Sequence, residues 1–118
     1  MSDGSGNANR ARGAWAEEQV ARWYRASGYE VLDRNWWCEH GELDIVAGKG
    51  TLVVFCEVKA RATGAFESPS LAVGFAKQRR LRRVAAVWLA ASGRRGVEVR
   101  FDVAAMTGVQ LEVLENAF

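Results

Sequence analysis

The sequence is poor in residues that cross-link or interrupt a small fold. Its 118 residues include one proline, one histidine and two cysteines. Cys38 and Cys56 are too few for a disulfide framework, and neither belongs to a CxxC pair of the kind that binds zinc. There is no recognisable signal peptide, and the longest apolar run, Val84–Ala91, is much shorter than the roughly 20 residues of a membrane-spanning helix. We therefore expect a reducing, cytoplasmic compartment and no membrane partner.

Apolar and charged residues are present in ordinary proportions, at 49% and 25%. We expect residues 1–10, rich in Ser, Gly and Asn, to form a disordered tail, and residues 11–118 to form a single domain. The charge is distributed unevenly: residues 31–60 contain five acids, whereas residues 61–95 contain eight Lys or Arg and one acid. Such an order favours a metal site beside a phosphate-binding surface, although a merely solvated helix face would look the same.

The hydrophobic periodicity predicts an α/β domain, a mixed sheet flanked by helices in the order α-β-β-β-α-β-β. In the second helix the apolar spacing predicts a buried stripe of Leu81, Val84, Ala85 and Trp88. In the strand that follows, Val97, Val99, Phe101 and Val103 alternate with Glu98, Arg100 and Asp102. The expected elements are a helix from about Arg12 to Ser27, a strand at Tyr29–Arg34, a loop at Asn35–His40, a hairpin within residues 41–59, a loop at Ala60–Ser68, a helix start at Ser68-Pro69, the main helix from about Phe75 to Ala91, and strands at Val97–Val103 and Val109–Leu114.

The hairpin within residues 41–59 is the centre of the functional hypothesis. Gly48-Lys49-Gly50 predicts a tight turn between two β-prone runs. Because side chains alternate along a strand, Glu42 and Asp44 share one face of the first strand, and Glu57 and Lys59 share one face of the second. An even-numbered loop or a bulge would bring these two faces together in a cleft at a sheet edge. The opposite, apolar face would consist of Leu43, Ile45, Leu52, Val54 and Val58.

Carboxylates gathered on one face repel one another unless a cation lies among them, so a metal site is the simplest interpretation. Mg²⁺ binds with one or two carboxylates and keeps several waters, which suits so small a set of ligands. Such a cation would neutralise phosphate charge in phosphodiester cleavage, and a positioned base or metal-bound water would make the attack. Lys59 would orient that water or stabilise the phosphorane. Glu42 is either a second ligand or only a cap on the preceding loop.

The two helices add one acid and a group of bases to this hypothesis. Glu17 has apolar residues at i+3, i+4 and i+7, so it is expected on or beside the buried face, where a carboxylate needs a partner. Glu18 has Arg22 and Arg25 at i+4 and i+7 and is expected to face solvent. About three of the five basic residues of the second helix are expected to contact phosphate, together with Arg61. The five are Lys77, Arg79, Arg80, Arg82 and Arg83.

Other constellations are weaker. Cys38, His40 and Cys56 lack a fourth zinc ligand, and Cys56 is expected on the apolar face of its strand. His40 is more simply a loop residue than a general base. Trp36 and Trp37 lie beside the acidic hairpin, where they either stack on bases or pack half-buried. Trp15, Trp23 and Trp88 are expected in the core.

Several motifs resemble those of the YraN-like uncharacterised bacterial proteins. They are Gly41–Ala47 (GELDIVA), Phe55–Lys59 (FCEVK), Ser68-Pro69 with Ala72-Val73, Lys77 with Arg80-Leu81, Arg100–Val103 (RFDV) and the closing Asn116–Phe118 (NAF). That family is assigned to the PD-(D/E)xK nuclease superfamily, and its core resembles archaeal Holliday-junction resolvases. The resemblance implies a restriction-endonuclease-like fold, with Asp44, Glu57 and Lys59 at the motif positions and Glu17 as the helix-borne acid. The motif proline is absent, since the sequence there reads Leu43-Asp44.

We therefore expect a nuclease that uses Mg²⁺ or Mn²⁺ and acts on DNA, including branched DNA. Asp44, Glu57 and the Val58 carbonyl would hold the metal, Glu17 would reach it through water, and Lys59 would assist the attack. The alternative is a nucleic-acid-binding module with the same fold and little or no catalysis. A protein-interaction scaffold is a third interpretation, but it leaves the three acids unexplained. A homodimer would suit a junction, because two sites could face two strands, but no stretch of the sequence identifies a self-complementary surface.

Overall fold

A five-stranded mixed sheet with one helix packed on each face forms the fold. The computed structural model describes residues 4–62 and 71–118, and it confirms the predicted order α-β-β-β-α-β-β. The elements are α1 (Gly4–Ala26), β1 (Glu30–Cys38), β2 (Gly41–Lys49), β3 (Leu52–Arg61), α2 (Phe75–Ser92), β4 (Glu98–Thr107) and β5 (Gln110–Leu114).

The strands lie in the sheet in the order β1-β2-β3-β4-β5. Neighbours are antiparallel except β3 and β4, which are parallel and are connected through α2. The central strand β3 is therefore antiparallel to β2 on one side and parallel to β4 on the other. Because β2 and β3 are antiparallel, the first residues of β2, near Gly41, and the last residues of β3, near Arg61, lie at the same end of the sheet.

Two apolar clusters fill the space between the sheet and the helices. The α2 cluster contains Leu43, Val46, Val53, Phe55, Leu81, Val84, Ala85, Trp88 and Phe101. The α1 cluster contains Val20, Ala21, Tyr24, Ile45, Ala47, Val54, Cys56 and Ala104. Four residues of the predicted apolar face of the hairpin share one side of the sheet, since Ile45 and Val54 lie in the α1 cluster and Leu52 and Val58 pack against it. The prediction was wrong for Leu43, which lies in the α2 cluster. Residues two apart on a regular strand share a face, so alternation fails between Leu43 and Ile45, where the pairing of β2 with β3 stops.

The second helix matches its prediction closely. Its buried residues are the predicted Leu81, Val84, Ala85 and Trp88. It ends at Gly93, whose φ of 70° is the left-handed conformation that terminates helices without strain only for glycine. The predicted helix start at Ser68-Pro69 lies outside the described residues, as does most of the predicted loop at Ala60–Ser68.

Two boundaries differ from the sequence expectation. Helix α1 begins at Gly4 rather than near Arg12, so it covers most of the predicted tail; residues 1–3 lie outside the described range. Adding a residue to an existing helix is far easier than nucleating one, and the packed part of α1 supplies the nucleus. Strand β1 continues to Cys38, where a loop at Asn35–His40 was expected. Residues 36–38 pair with β2, and this pairing extends the strand although the local sequence is partly polar.

No helix among the described residues is long and apolar enough to cross a bilayer.

Candidate metal and phosphate site

Strands β2 and β3 separate at Asp44. Their paired register runs from Lys49↔Leu52 to Ile45↔Cys56 and stops there. Beyond it, Oδ2 of Asp44 accepts a hydrogen bond from the backbone N–H of Val58 at 2.8 Å. A side chain thus replaces the β2 main chain as the partner of β3. The predicted position at a sheet edge was wrong, because β2 and β3 are interior strands and Asp44 lies between them.

Four carboxylates lie close enough for their charges to interact at this point, and we call them the carboxylate site. They are Glu17, Glu42, Asp44 and Glu57. Burial, followed by the charge of Glu57 and then by the smaller effects of Glu17 and Glu42, raises the pKa of Asp44 to about 7. The bond from Val58 N–H acts in the opposite direction, because it favours the ionised carboxylate. The structure therefore brings the predicted acids of α1, β2 and β3 within reach of one another's charges.

Glu17 occupies the inward position that its spacing predicted. Burial raises its pKa, as do the charges of Glu42 and Glu57, whereas a hydrogen bond with Asn35 and the charge of Arg34 lower it. Asn35 was not recognised in the sequence as part of the site. It has a φ of 51° within β1, and asparagine is one of the few residues that tolerate this conformation. No local signal could have identified it, because Asn35 was expected at the start of a loop, where asparagine is common.

Glu18 points away from the site, as its spacing predicted. Its Oε1 accepts a bond from Arg22 at 3.2 Å, and its Oε2 accepts one from Arg34 at 2.7 Å. The predicted second partner, Arg25, is replaced by Arg34 of β1. Glu18 therefore connects α1 to β1 and leaves Glu17 as the acid of α1 at the site.

Two lysines lie beside Glu57, which is only 13% exposed. Nζ of Lys77 is 2.8 Å from Oε1 of Glu57, so α2 contributes a cation directly to the carboxylate site. Nζ of Lys59, two residues along β3, donates to the carbonyl oxygen of Ala72 at 2.9 Å. Burial lowers the pKa of Lys59, and the neighbouring charges of Lys77 and Arg61 lower it further. Lys77 was predicted to contact DNA, but here it neutralises Glu57.

The oxygen ligands of the carboxylate site suit a hard divalent cation, but they do not form a complete coordination shell. Within residues 4–62 and 71–118, no three His, Cys, Asp or Glu side chains are arranged to hold a metal ion. Mg²⁺ needs only one or two carboxylates and retains waters, and Asp44 and Glu57 supply that oxygen set. A cation at Glu57 would take the place of the Lys77 ammonium. A zinc site is not formed, because Cys38 packs against the α2 cluster whereas Cys56 belongs to the α1 cluster.

The basic residues of α2 divide into three groups. Arg79, Arg80 and Arg83 line an open cleft of about 540 Å³ with Ala76, Glu39 and His40, and we call it the arginine cleft. The guanidinium of Arg82 instead lies 4.8 Å from the ring of Phe101 and 5.4 Å from that of Phe118, which makes it a packing residue. With Lys77 at Glu57, three of the five bases face the cleft. They follow Ala76 at i+3, i+4 and i+7, the spacing of one helix face.

Gly41 allows the β1–β2 turn to approach α2 and close one side of the arginine cleft. Its φ of 142° is accessible mainly to glycine, and a Cβ there would stand 3.4 Å from Cδ of Arg80 and from Cγ2 of Val84. Arg61, the remaining predicted nucleic-acid contact, lies exposed at the end of β3, where its Nη1 donates to the Ala60 carbonyl at 2.9 Å.

The tryptophans separate into core and surface. Trp36 packs against the α2 cluster, as Trp88 does within it, and Trp23 packs against the α1 cluster. Trp37 is 74% exposed, and in the register of β1 and β2 it stands opposite Glu42. Trp15 was expected in the core but is 42% exposed on α1, because the helix turns its neighbour Ala16 inward instead.

Comparison with known proteins places this site within a family. Residues 16–106, which include Glu17, Asp44, Glu57 and Lys59, match the family described as "Uncharacterised protein family UPF0102". A UPF0102 protein of Rhodococcus jostii (strain RHA1) is 45% identical over 115 residues, 93% of this chain and 98% of the relative. One from Beutenbergia cavernae is 50% identical over 99 residues, 84% of each chain. One from Frankia casuarinae is 44% identical over 116 residues, 94% of this chain and 98% of the relative.

Proposed function

We propose, from the premise that the chain belongs to the uncharacterised protein family UPF0102, that it is a metal-dependent nuclease that cleaves phosphodiester bonds in DNA. The observation that carries the proposal is the carboxylate site. Asp44 and Glu57 lie where β2 leaves β3, and burial and neighbouring carboxylates raise the pKa of Asp44 to about 7. Groups placed at such an energetic cost are typical of functional sites.

The residues of the chain would divide the work as follows. Asp44 and Glu57 would hold Mg²⁺ or Mn²⁺, with Glu17 connected through water. When bound, the cation neutralises phosphate charge and activates water. Lys59, held by the Ala72 carbonyl two residues from Glu57 on β3, would stabilise negative charge at the phosphate. The arginine cleft would hold the flanking phosphates, with Arg61 at the end of β3. This arrangement of two strand acids and a lysine supports membership of the PD-(D/E)xK superfamily.

Cleavage of a DNA panel tests the proposal. Wild-type protein is expected to cut at least one of linear, flapped and four-way DNA with millimolar Mg²⁺ or Mn²⁺ and none in EDTA. Glu57→Ala removes a proposed ligand and is expected to abolish cleavage without changing DNA affinity measured in EDTA. Glu98→Ala, which removes an exposed acid at the opposite end of the sheet, is the matched control and should cut normally. Absence of metal-dependent cleavage on every DNA would reject the nuclease.

A nucleic-acid-binding module without catalysis is the second candidate, and the Lys77–Glu57 ion pair favours it. The ammonium of Lys77 at 2.8 Å neutralises Glu57 without any metal, so the fold does not need a cation to balance that charge. The arginine cleft would still bind phosphate in such a protein. Binding and cleavage therefore have to be measured separately.

Charge reversal in the arginine cleft tests the DNA-binding surface. Arg79→Glu with Arg83→Glu is expected to weaken binding of every DNA shape and to reduce the magnitude of the salt slope of log K by about 0.9 for each lost duplex phosphate contact. Arg94→Glu with Arg95→Glu is a matched control, since it reverses two exposed charges past the far end of α2. If the two double variants lost equal DNA affinity, binding would depend only on the total charge of the protein, and the arginine cleft would not be the binding site.

A further inference from the structure

Trp37 is a large apolar side chain presented to solvent by an edge strand. It is 74% exposed, although Trp36 beside it packs against the α2 cluster. Among the strands that the structure describes, β1 has a neighbour on one side only, namely β2. Its backbone there is fixed by the pairs Trp36↔Leu43 and Trp37↔Glu42, so the indole projects from an ordered strand rather than from a loop. Single exposed apolar residues are common on proteins, so its position must decide what it does.

That position is the rim of the carboxylate site. Directly opposed residues of antiparallel strands project to the same side, with Cβ atoms about 4.5–5.5 Å apart, so Trp37 stands beside Glu42. Glu42 is two residues before Asp44 on β2, and Asp44 accepts the hydrogen bond from Val58 N–H at the point where β2 and β3 separate. Because Trp36 packs against the α2 cluster, Trp37 projects from the other face of the sheet, on the side of Glu42 rather than of the arginine cleft. An aromatic face therefore lies beside the carboxylate site, where the reacting phosphate would be held.

We propose that Trp37 is a stacking platform for an unpaired nucleobase next to the phosphate at the carboxylate site. The inference rests on the proposed function, since it assumes that DNA is the ligand. An indole stacks on the face of any base, which gives affinity without sequence preference. In a continuous duplex those faces are already stacked on one another. The preferred substrate class is therefore DNA with unpaired nucleotides at the reacting position, as in single strands, flaps and open junctions.

Binding in EDTA, where no cleavage occurs, tests the platform by anisotropy of labelled DNA. Trp37→Ala is expected to weaken binding of a single strand and of a flap about tenfold, the effect of losing one stacked base. Binding of a blunt duplex should change less than twofold, and Trp37→Phe should restore most of the affinity. Trp15→Ala removes a second exposed tryptophan, on α1, and is expected to bind all three DNAs normally.

The outcomes distinguish this inference from the function on which it rests. Wild-type protein that binds none of the DNAs would reject the proposed function itself. Protein that binds DNA but loses equal affinity for duplex and single strand in Trp37→Ala would overturn the platform alone, as would no loss at all. A change of molar mass by light scattering in Trp37→Ala would assign the indole to contact between two copies of the chain and would also overturn the inference.

Discussion

Asp44→Asn is expected to stabilise the metal-free protein at pH 8 and to leave it nearly unchanged at pH 4. Burial and the neighbouring carboxylates raise the pKa of Asp44 from its usual 3.8 to about 7. Between these values the folded protein keeps a proton that the unfolded chain has lost, so the stability of the wild type falls as the pH rises from about 4 to 7. Asparagine cannot ionise, but its carbonyl oxygen can still accept the bond from Val58 N–H.

The interval between the two pKa values corresponds to about 4 kcal/mol, which is the largest gain that the substitution can bring above pH 7. Urea denaturation in EDTA at pH 4 and pH 8 measures it. Glu42→Gln is the control and should change the free energy of unfolding less than Asp44→Asn at pH 8. Glu42 is exposed and contributes less to the pKa of Asp44 than burial or Glu57 does. If the difference in unfolding free energy between wild type and Asp44→Asn did not change with pH, the fold would not raise the pKa of Asp44.

Divalent metal is expected to reduce this difference in stability between Asp44→Asn and the wild type. A cation that binds only the folded protein stabilises it by about 2.7 kcal/mol at one hundred times its Kd. The wild type should therefore gain stability in Mn²⁺ or Mg²⁺ at pH 8, and Asp44→Asn should not. Thermal melts across a metal titration give the comparison. Should Asp44→Asn respond like the wild type, the cation binds elsewhere and the carboxylate site is not its location.

The sequence predicts the elements of this fold well where a single period decides the structure. The stripe of Leu81, Val84, Ala85 and Trp88 follows from helical spacing alone, and the structure buries these residues. Glu17 likewise faces inward because the apolar residues that follow it share its side of α1. These are local properties, because the period of a helix is fixed by its own hydrogen bonds.

The same reasoning fails where the answer depends on how distant elements dock. Leu43 and Ile45 were predicted on one face, but β2 pairs with β3 only from Ile45 onward, and regular alternation fails just before that residue. Lys77 was counted among the DNA-binding bases of the second helix, whereas Glu57 becomes its partner only when α2 packs on the sheet. A charge pattern identifies a basic helix but not which of its bases the fold itself uses.

Asp102 illustrates this most clearly. Strict alternation in Val97–Val103 put Asp102 on the same side as Glu98 and Arg100, opposite the apolar residues. Helix α1 covers that side of β4, and Asp102 is fully buried. Nothing within the strand distinguishes a charged face that meets solvent from one that meets a helix. The buried acid then needs partners from several elements, which only the tertiary structure shows.

Asp102→Ala is expected to destabilise the protein by about 3–5 kcal/mol, because the mostly buried charge of Arg100 loses its two close bonds to Asp102 and keeps only a longer ion pair with Glu115 at 3.7 Å. Oδ1 of Asp102 accepts bonds from Nε of Arg100 at 2.8 Å and from the backbone N–H of Asn116 at 3.0 Å. Oδ2 accepts one from Nη2 of Arg100 at 2.9 Å and one from the hydroxyl of Tyr24 at 2.6 Å. One carboxylate therefore connects α1, β4 and the C-terminal residues.

Urea denaturation at pH 7 measures the loss, and two further substitutions show how much of it comes from each partner of Asp102. Tyr24→Phe removes one neutral donor and should cost only about 1.5 kcal/mol. Combined with Asp102→Ala it should add less than that, because the hydroxyl has already lost its acceptor. Asp102→Asn keeps an acceptor but not the charge and should fall between the two single variants. If Asp102→Ala cost no more than Tyr24→Phe, the ion pair with Arg100 would contribute nothing, and the network would be only a hydrogen bond between α1 and β4.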